Sequence, residues 1–216
     1  MARKKEIVEK TYDTVAKEYA QAFSKEHEQK PKDREILARF VREIGNKRPV
    51  WDFGSGPGHT TKYLHDLGIE ISGMDISGEM VKQARSLFPD IRFQKGNMLH
   101  LGCDDDSIAA AVSFYSIVHC TKEEVGTVFG EVFRVLQPGG VFLFTYHIGD
   151  ETLHIDSFLD KKVDIDFMFF TTACIRKCVK RCGFERIEII ERPPYPDVEY
   201  QSRRAYVFAW KPIIHP

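Results

Sequence analysis

The chemistry in this chain concentrates first in residues 51–60, WDFGSGPGHT, where three glycines alternate along a loop that begins two residues after an aspartate. Gly54, Gly56 and Gly58 free the backbone for unusual torsions and let a ligand approach where β-carbons would otherwise stand. The spacing is G-x-G-x-G, not the G-x-G-x-x-G of dinucleotide loops, and His59 stands where the last fingerprint glycine would fall. Asp52 separates the ligands further. A carboxylate beside a pyrophosphate is repelled, whereas one beside a sulfonium or an α-ammonium is attracted. About twenty residues on, Asp75 ends the apolar run IEISGMD, where a carboxylate can accept from both hydroxyls of a ribose. In KGNM, Asn97 can reach an adenine edge through its amide, and Met98 offers apolar contact.

A second set of reactive side chains follows. Tyr115 ends the run SIAAAVSFY, Ser116 and His119 follow it, His147 ends GGVFLFTYH, and His154 lies a few residues later. Tyr115, His119 and His147 are the candidates for catalysis, because a general base is needed when a nucleophile must lose a proton. His119, His147 and His154 are also candidate acceptor contacts, together with Arg203 and Arg204, which would suit an anionic substrate. Cys174, Cys178 and Cys182 recur every fourth residue, yet three thiols with no matching cluster are incomplete for tetrahedral zinc, and no metal is expected.

These residues need strands and helices to hold them. Short apolar runs alternate with helical periodicity from Pro49 onward: strands at 49–53, 69–75, 91–96, 107–115 and 139–147, helices at 59–68, 77–88 and 122–136. Ser77 is the expected N-cap of its helix, and Gln137–Gly140 a turn. That order predicts an α/β fold, a mostly parallel sheet with helices on both faces. Two helices precede it, one through about Phe23 and one after Pro31 that ends near Gly45. The alternation pauses at 148–170. A helix at 172–182 and two strands, 184–191 and 203–211, complete the chain, and the helix-free pair calls for an antiparallel insertion.

The pieces VWDFGSGPG, GMDISGEM, KGNM, VSFYSIVH and VLQPGGVFLF, in this order, resemble the class I S-adenosylmethionine-dependent methyltransferases, over residues from about 10 to the C-terminus. The resemblance implies a Rossmann-like, doubly wound, seven-stranded sheet whose last strand is antiparallel, and S-adenosyl-L-methionine as cofactor, with S-adenosyl-L-homocysteine as product. It places Asp52 and Gly54 at the aminoacyl end, Asp75 on the ribose, Ile76 against adenine, and Asn97 and Met98 around the adenine pocket. Aspartate is more usual in the family at the position of Asn97; an amide can also accept from the adenine amino group, without the charge. TYDTVAKEYAQAF resembles a cofactor-covering helix, with Tyr12 and Tyr19 on one face. Ser55, Gly56, Gly58, Met80, Tyr115 and Ser116 complete the expected cofactor set. One domain over 1–216 is implied, with a helical cover at about 1–45 and a substrate-side insertion at about 148–170.

Bulk properties narrow the function. Thirty-one basic against 32 acidic residues, a net charge of −1, gives no global field for nucleic acid or an anionic membrane. The segment after the fourth strand lacks an Asn/Asp-Pro-Pro-aromatic motif for exocyclic amines. No apolar run approaches a membrane span, the basic start has no apolar run behind it, and five cysteines fit a reducing cytoplasm. The expected activity is methyl transfer to a small-molecule acceptor, with a nucleic-acid methyltransferase or a non-catalytic cofactor-binding protein as the alternatives.

Overall fold

The computed structural model describes residues 2–213. Three helices lead the chain: α1 (Ala2–Ala22), the short α2 (Glu26–Gln29) and α3 (Pro31–Ile44). Then follow β1 (Val50–Phe53), α4 (His59–Asp66), β2 (Ile71–Asp75), α5 (Gly78–Leu87), β3 (Phe93–Lys95), β4 (Ile108–Ser113), a 3₁₀ turn (Ile117–His119), α6 (Lys122–Val135) and β5 (Leu136–His147). After β5 come β6 (Thr152–Phe158), β7 (Lys161–Met168), α7 (Thr172–Arg181), β8 (Arg186–Arg192) and β9 (Arg204–Trp210).

Seven strands form one sheet in the order β3-β2-β1-β4-β5-β9-β8. The pairs from β3 to β5 are parallel, and β9 runs antiparallel between β5 and β8. The order reverses between β1 and β4, so the crevice beyond their carboxyl ends is where a ligand fits an open sheet of this kind. Residues 137–140 loop out of the β4–β5 ladder: Ile108 pairs with Leu136, but Ala110 pairs with Val141. The expected turn is therefore a bulge inside the strand.

Side-chain alternation divides the core between the two faces of the sheet. Trp51, Phe53, Phe142, Phe144 and Val207 face α6 and α7, whereas Val50, Val112, Leu143, Tyr206 and Phe208 face α3 and α4. On α6 the buried residues Val125, Val128, Phe129, Val132 and Val135 follow helical spacing, each burial contributing roughly 1.5–3 kcal/mol. Thr121 and Glu124 close a capping box at the start of that helix. Ser77 caps α5 by accepting from the amide of Met80.

Where the sequence loses its alternation the chain forms a separate antiparallel hairpin, β6–β7. Its turn residues Leu159 and Asp160 both have positive φ, 51° and 61°. That backbone ordinarily favours Asn-Gly or Asp-Gly, and neither is present, so the usual signal of a hairpin is missing. Val163 and Ile165 of the hairpin pack with Val15 and Ala16 of α1 and with Met80 of α5, forming a small core apart from the sheet. Among the described residues no helix is long and apolar enough to cross a membrane.

Candidate active site

A cavity of roughly 900 Å³, counting its open mouth, lies beyond the carboxyl ends of β1, β2, β3 and β4 and is roofed by α1. Pockets for small molecules and cofactors run to about 300–1,000 Å³. The floor is the glycine loop. Gly54 has φ 76°, and a β-carbon there would lie 2.4 Å from the side chain of Ser116. Gly56 has φ 54°, and its β-carbon would meet nothing within 4 Å, so this backbone is open for close approach. Both line the cavity; Gly58 and Ser55 do not. Gly58 instead starts α4, pressed against Phe93.

Asp75, at the end of β2, sits on the cavity wall with only 9% of its surface exposed. Its Oδ2 accepts from the amide of Gly56 and its Oδ1 from the amide of Ser77, each at 2.8 Å. Each oxygen keeps a further lone pair, which is what two vicinal hydroxyls require. Burial raises its pKa to about 6, against the pull of the two amides. Ile76, Met80, Asn97 and Met98 line the same wall.

Asp52 does not join them. Strand alternation turns its side chain away from the cavity, where its Oδ2 accepts from the hydroxyl of Thr61 at 2.7 Å. Burial lifts its pKa to about 7. Asp52 is not on the cavity wall; it ties α4 to β1.

The roof is fastened at several points. Lys5, Val8, Tyr12 and Tyr19 of α1 face the cavity. Asp13 Oδ1 accepts from the hydroxyl of Ser77 and the amide of Glu79, at 2.6 and 3.1 Å. Glu18 pairs with Lys161 of the hairpin at 3.0 Å. The Tyr12 hydroxyl meets Nε2 of His119 at 2.6 Å, and His119 Nδ1 lies 3.1 Å from the backbone carbonyl of Asp166 in β7. A carbonyl only accepts, so Nδ1 carries a proton, and Nε2 faces the Tyr12 hydroxyl. One imidazole thus joins helix, strand end and hairpin at the cavity wall. Burial, and secondarily the charge of Asp75, raises the pKa of Tyr12.

Tyr115 and Ser116 also line the cavity. Tyr115 holds φ 52°, rare for a side chain of this size, and its amide donates to Thr145 Oγ1 at 2.7 Å. Behind its ring the guanidinium of Arg204 lies 5.4 Å from the centroid. Arg204 and Arg192 pair with Glu199, and Arg192 and the Tyr206 hydroxyl with Asp33, in a buried ionic cluster. The two neighbouring arginines therefore differ: Arg204 is 5% exposed and committed to Glu199, whereas Arg203 is 64% exposed and paired with Glu191 at the surface. Neither lines the cavity.

The remaining histidines separate likewise. His147 stacks on Phe169, its Nδ1 is 2.6 Å from Ser202 Oγ, and burial pulls its pKa down to about 3. His154 is 58% exposed on the hairpin, 2.9 Å from Asp166, which raises its pKa. Neither reaches the cavity wall. Among the described residues no group of three or more His, Cys, Asp or Glu is placed to hold a metal ion. The wall also carries residues that motif spacing did not reveal, above all Glu124 and Cys120 at the entry to α6. For Glu124 the signal was the T-x-x-E capping box in the sequence.

Residues 50–140 match the family profile described as a methyltransferase domain. A probable S-adenosylmethionine-dependent methyltransferase of Mycolicibacterium smegmatis is 32% identical over 96 residues, 44% of this chain and 37% of that protein. A malonyl-[acyl-carrier protein] O-methyltransferase of Pectobacterium atrosepticum is 30% identical over 95 residues, with the same shares. The match thus spans little more than a third of the length of these curated relatives. A crystal structure of a methyltransferase from Methanosarcina mazei superposes with a TM-score of 0.71 at 17% identity, covering 82% of this chain and 98% of that one, which establishes the fold.

Proposed function

We propose that this chain is a class I S-adenosylmethionine-dependent methyltransferase that binds S-adenosyl-L-methionine under α1 and transfers its methyl group to a small-molecule acceptor. The observation that carries this reading is Asp75: a buried carboxylate fixed by two loop amides on the wall of a cavity, each oxygen retaining an acceptor site for a ribose hydroxyl.

The residues present fit the cofactor. Gly54 and Gly56 offer backbone at the aminoacyl end, and Ile76, Met80 and Met98 give apolar walls for the purine. The bound cofactor supplies an electrophilic methyl on a sulfonium. Roofing by α1 excludes water from the transfer path, and holding the acceptor in line can remove roughly 7–11 kcal/mol of barrier. Of the three catalytic candidates, His119 has the geometry of a base. With the ring neutral, Nε2 accepts from Tyr12, and an acceptor O–H or N–H passes its proton to the Tyr12 oxygen while the Tyr12 proton moves to Nε2. The imidazolium then keeps its Nδ1–H on the Asp166 carbonyl. His147, whose ring stays neutral down to about pH 3 and lies outside the cavity, acts as packing.

Balanced charge and a roof formed by α1, itself packed against the hairpin, favour a small acceptor over a nucleic acid. The test has two steps. S-adenosylhomocysteine should raise the melting temperature and NADH should not; stabilisation by NADH alone refutes the cofactor. A metabolite extract incubated with isotopically labelled S-adenosylmethionine should then yield a labelled small molecule by mass analysis, and label found only in added nucleic acid refutes the acceptor class.

A further inference from the structure

The first turn of a helix leaves backbone amides without helical partners, and in α5 they are met from two sides. Ser77 supplies one acceptor, its Oγ taking the amide of Met80 at 3.0 Å. The other comes from the roof. Asp13, in the middle of α1, accepts the amide of Glu79 at 3.1 Å on the same Oδ1 that takes the Ser77 hydroxyl at 2.6 Å. The partial positive charge of a helix N-terminus favours a carboxylate in that place. Asp13 is thus a cap lent to α5 by another helix. It does not line the cavity: helical spacing turns it towards α5, while Tyr12 and Tyr19, seven residues apart, face the ligand space.

Ser77 is where this cap meets the carboxylate of Asp75. It is fully buried, and its polar contacts diverge: its amide donates to Asp75 Oδ1 at 2.8 Å, its hydroxyl donates to Asp13, and the hydroxyl oxygen accepts from Met80. The roof and the ribose carboxylate therefore hold one residue between them. Lifting α1 takes Asp13 away and leaves the Ser77 hydroxyl and the Glu79 amide to water. The loop after β2 then loses a contact that fixes the direction of the Ser77 amide, and Asp75 loses a fixed donor. The two carboxylates also act on each other. Burial is the main cause of the raised pKa of Asp75, the amides of Ser77 and Gly56 oppose it, and the charge of Asp13 adds to it. The other ionisable groups around Asp75 are Lys5, Tyr12 and Tyr19 of α1, Asp52 of β1, Glu79 of α5 and Lys95 of β3, which pairs with Glu9.

We propose that Asp13 is a positioning residue that couples the closed roof to cofactor binding: it fastens α1 to Ser77 and so keeps Asp75 aimed at the ribose hydroxyls. This rests on the S-adenosylmethionine reading and adds to it a residue outside the cavity. With Asp13 in place, release of the cofactor waits for the roof bonds to break. Without it the roof lifts more often, and the bound nucleoside leaves sooner.

Stopped-flow binding of S-adenosylhomocysteine tests this without any methyl acceptor. Asp13→Ala should raise the dissociation rate constant about tenfold, the equivalent of one charge-assisted hydrogen bond, without lowering the association rate constant. Asp13→Asn keeps an oxygen for Ser77 and Glu79 and should stay within about threefold of wild type near neutral pH. It lacks the charge, so its affinity for S-adenosylhomocysteine should begin to fall at a lower pH than that of wild type. A contact that only supports the fold would lower the melting temperature and move neither the dissociation rate nor the pH profile. Hydrogen exchange without ligand gives a second measurement: amides of α1 should exchange faster in Asp13→Ala, with those of β4 and β5 unchanged. An unchanged dissociation rate constant or unchanged α1 exchange in Asp13→Ala, or a pH profile of Asp13→Asn that coincides with wild type, would each overturn the coupling. If Asp13→Ala does not fold, the pH profile of Asp13→Asn decides. Failure of wild type to bind S-adenosylhomocysteine at all would instead overturn the cofactor reading and the coupling with it.

Discussion

Asp75→Asn separates the cost of building the site from its use. Burial raises the carboxyl from its ordinary 3.8 to about 6 in the ligand-free fold, a difference of about 2 pH units or roughly 3 kcal/mol at 1.36 kcal/mol per unit. The sign follows from proton uptake. Between pH 3.8 and about 6 the folded chain holds a proton that the unfolded chain has released, so acidification through this window favours folding. The burial cost is fully present above about pH 6 and gone below 3.8. Asparagine cannot titrate, and it has one oxygen for the two amides of Gly56 and Ser77, so it also loses about 1–3 kcal/mol through an unmet donor. That loss does not depend on pH and cancels in the comparison. Urea unfolding of both proteins without ligand, from about pH 7.5 to about pH 4, should show wild type gaining close to 3 kcal/mol on the variant. Parallel stability curves would refute the buried, shifted carboxylate. The binding counterpart runs the other way: S-adenosylhomocysteine needs the ionised form, so its affinity for wild type should fall about tenfold per pH unit below about 6. Asp75→Asn should bind weakly throughout and lack that slope.

Tyr12→Phe and His119→Gln should each lower labelled methyl transfer by about 10²–10⁴ while leaving S-adenosylhomocysteine affinity within a few-fold, and the double variant should be no slower than the worse single one. Multiplying effects would show that the two do not act as one relay. Gly56→Ala places a methyl group in open cavity at the cost of about 1–2 kcal/mol of left-handed strain; it should fold yet lose its thermal shift with S-adenosylhomocysteine. Gly54→Ala must also displace Ser116 and should melt lower than Gly56→Ala. His147 stays neutral when folded down to about pH 3 but charges at its ordinary 6.5 when unfolded, so it withdraws stability as pH falls below 6.5. His147→Gln should retain methyl transfer within about threefold and lose roughly 3 kcal/mol less than wild type between pH 6.5 and pH 4; an equal loss in urea unfolding would refute its burial.

The doubly wound part of the fold was legible because its signals are local. Apolar runs mark β1, β2, β4 and β5, Ser77 marks the start of α5, and the helix-free C-terminal pair marks the antiparallel β9. The place of Asp75, Gly54 and Gly56 on the cavity wall was legible for the same reason: they stand at or just beyond strand ends. What escaped depends on side-chain direction. Asp52 was assigned by charge, but its place in β1 turns it to the face of Thr61. Arg203 and Arg204 are adjacent in sequence and opposite in burial: Arg204 enters β9 and pairs with the buried Glu199, whereas Arg203 stands just outside the strand and pairs with Glu191 at the surface. The β6–β7 hairpin was hidden because Leu159-Asp160 is a poor turn signal and the strands are half exposed, packing on α1 instead of the sheet. Glu124 went unread in the sequence: it closes the cap of α6, and only the fold brings it to the cavity wall.

The small core shared by α1, Met80 and the hairpin has a kinetic consequence. Because Val15, Ala16, Val163 and Ile165 bury one another and not the sheet, α1 and β6–β7 can detach together while the seven strands stay folded. Such a sub-global opening is a foldon, and its free energy lies below that of complete unfolding. Amide hydrogens of the two segments should therefore exchange as a single block, ahead of those in β4 and β5. The residence time of any molecule held beneath that block is then bounded by how often it opens, so turnover can be limited by the roof and not by the methyl transfer it shelters.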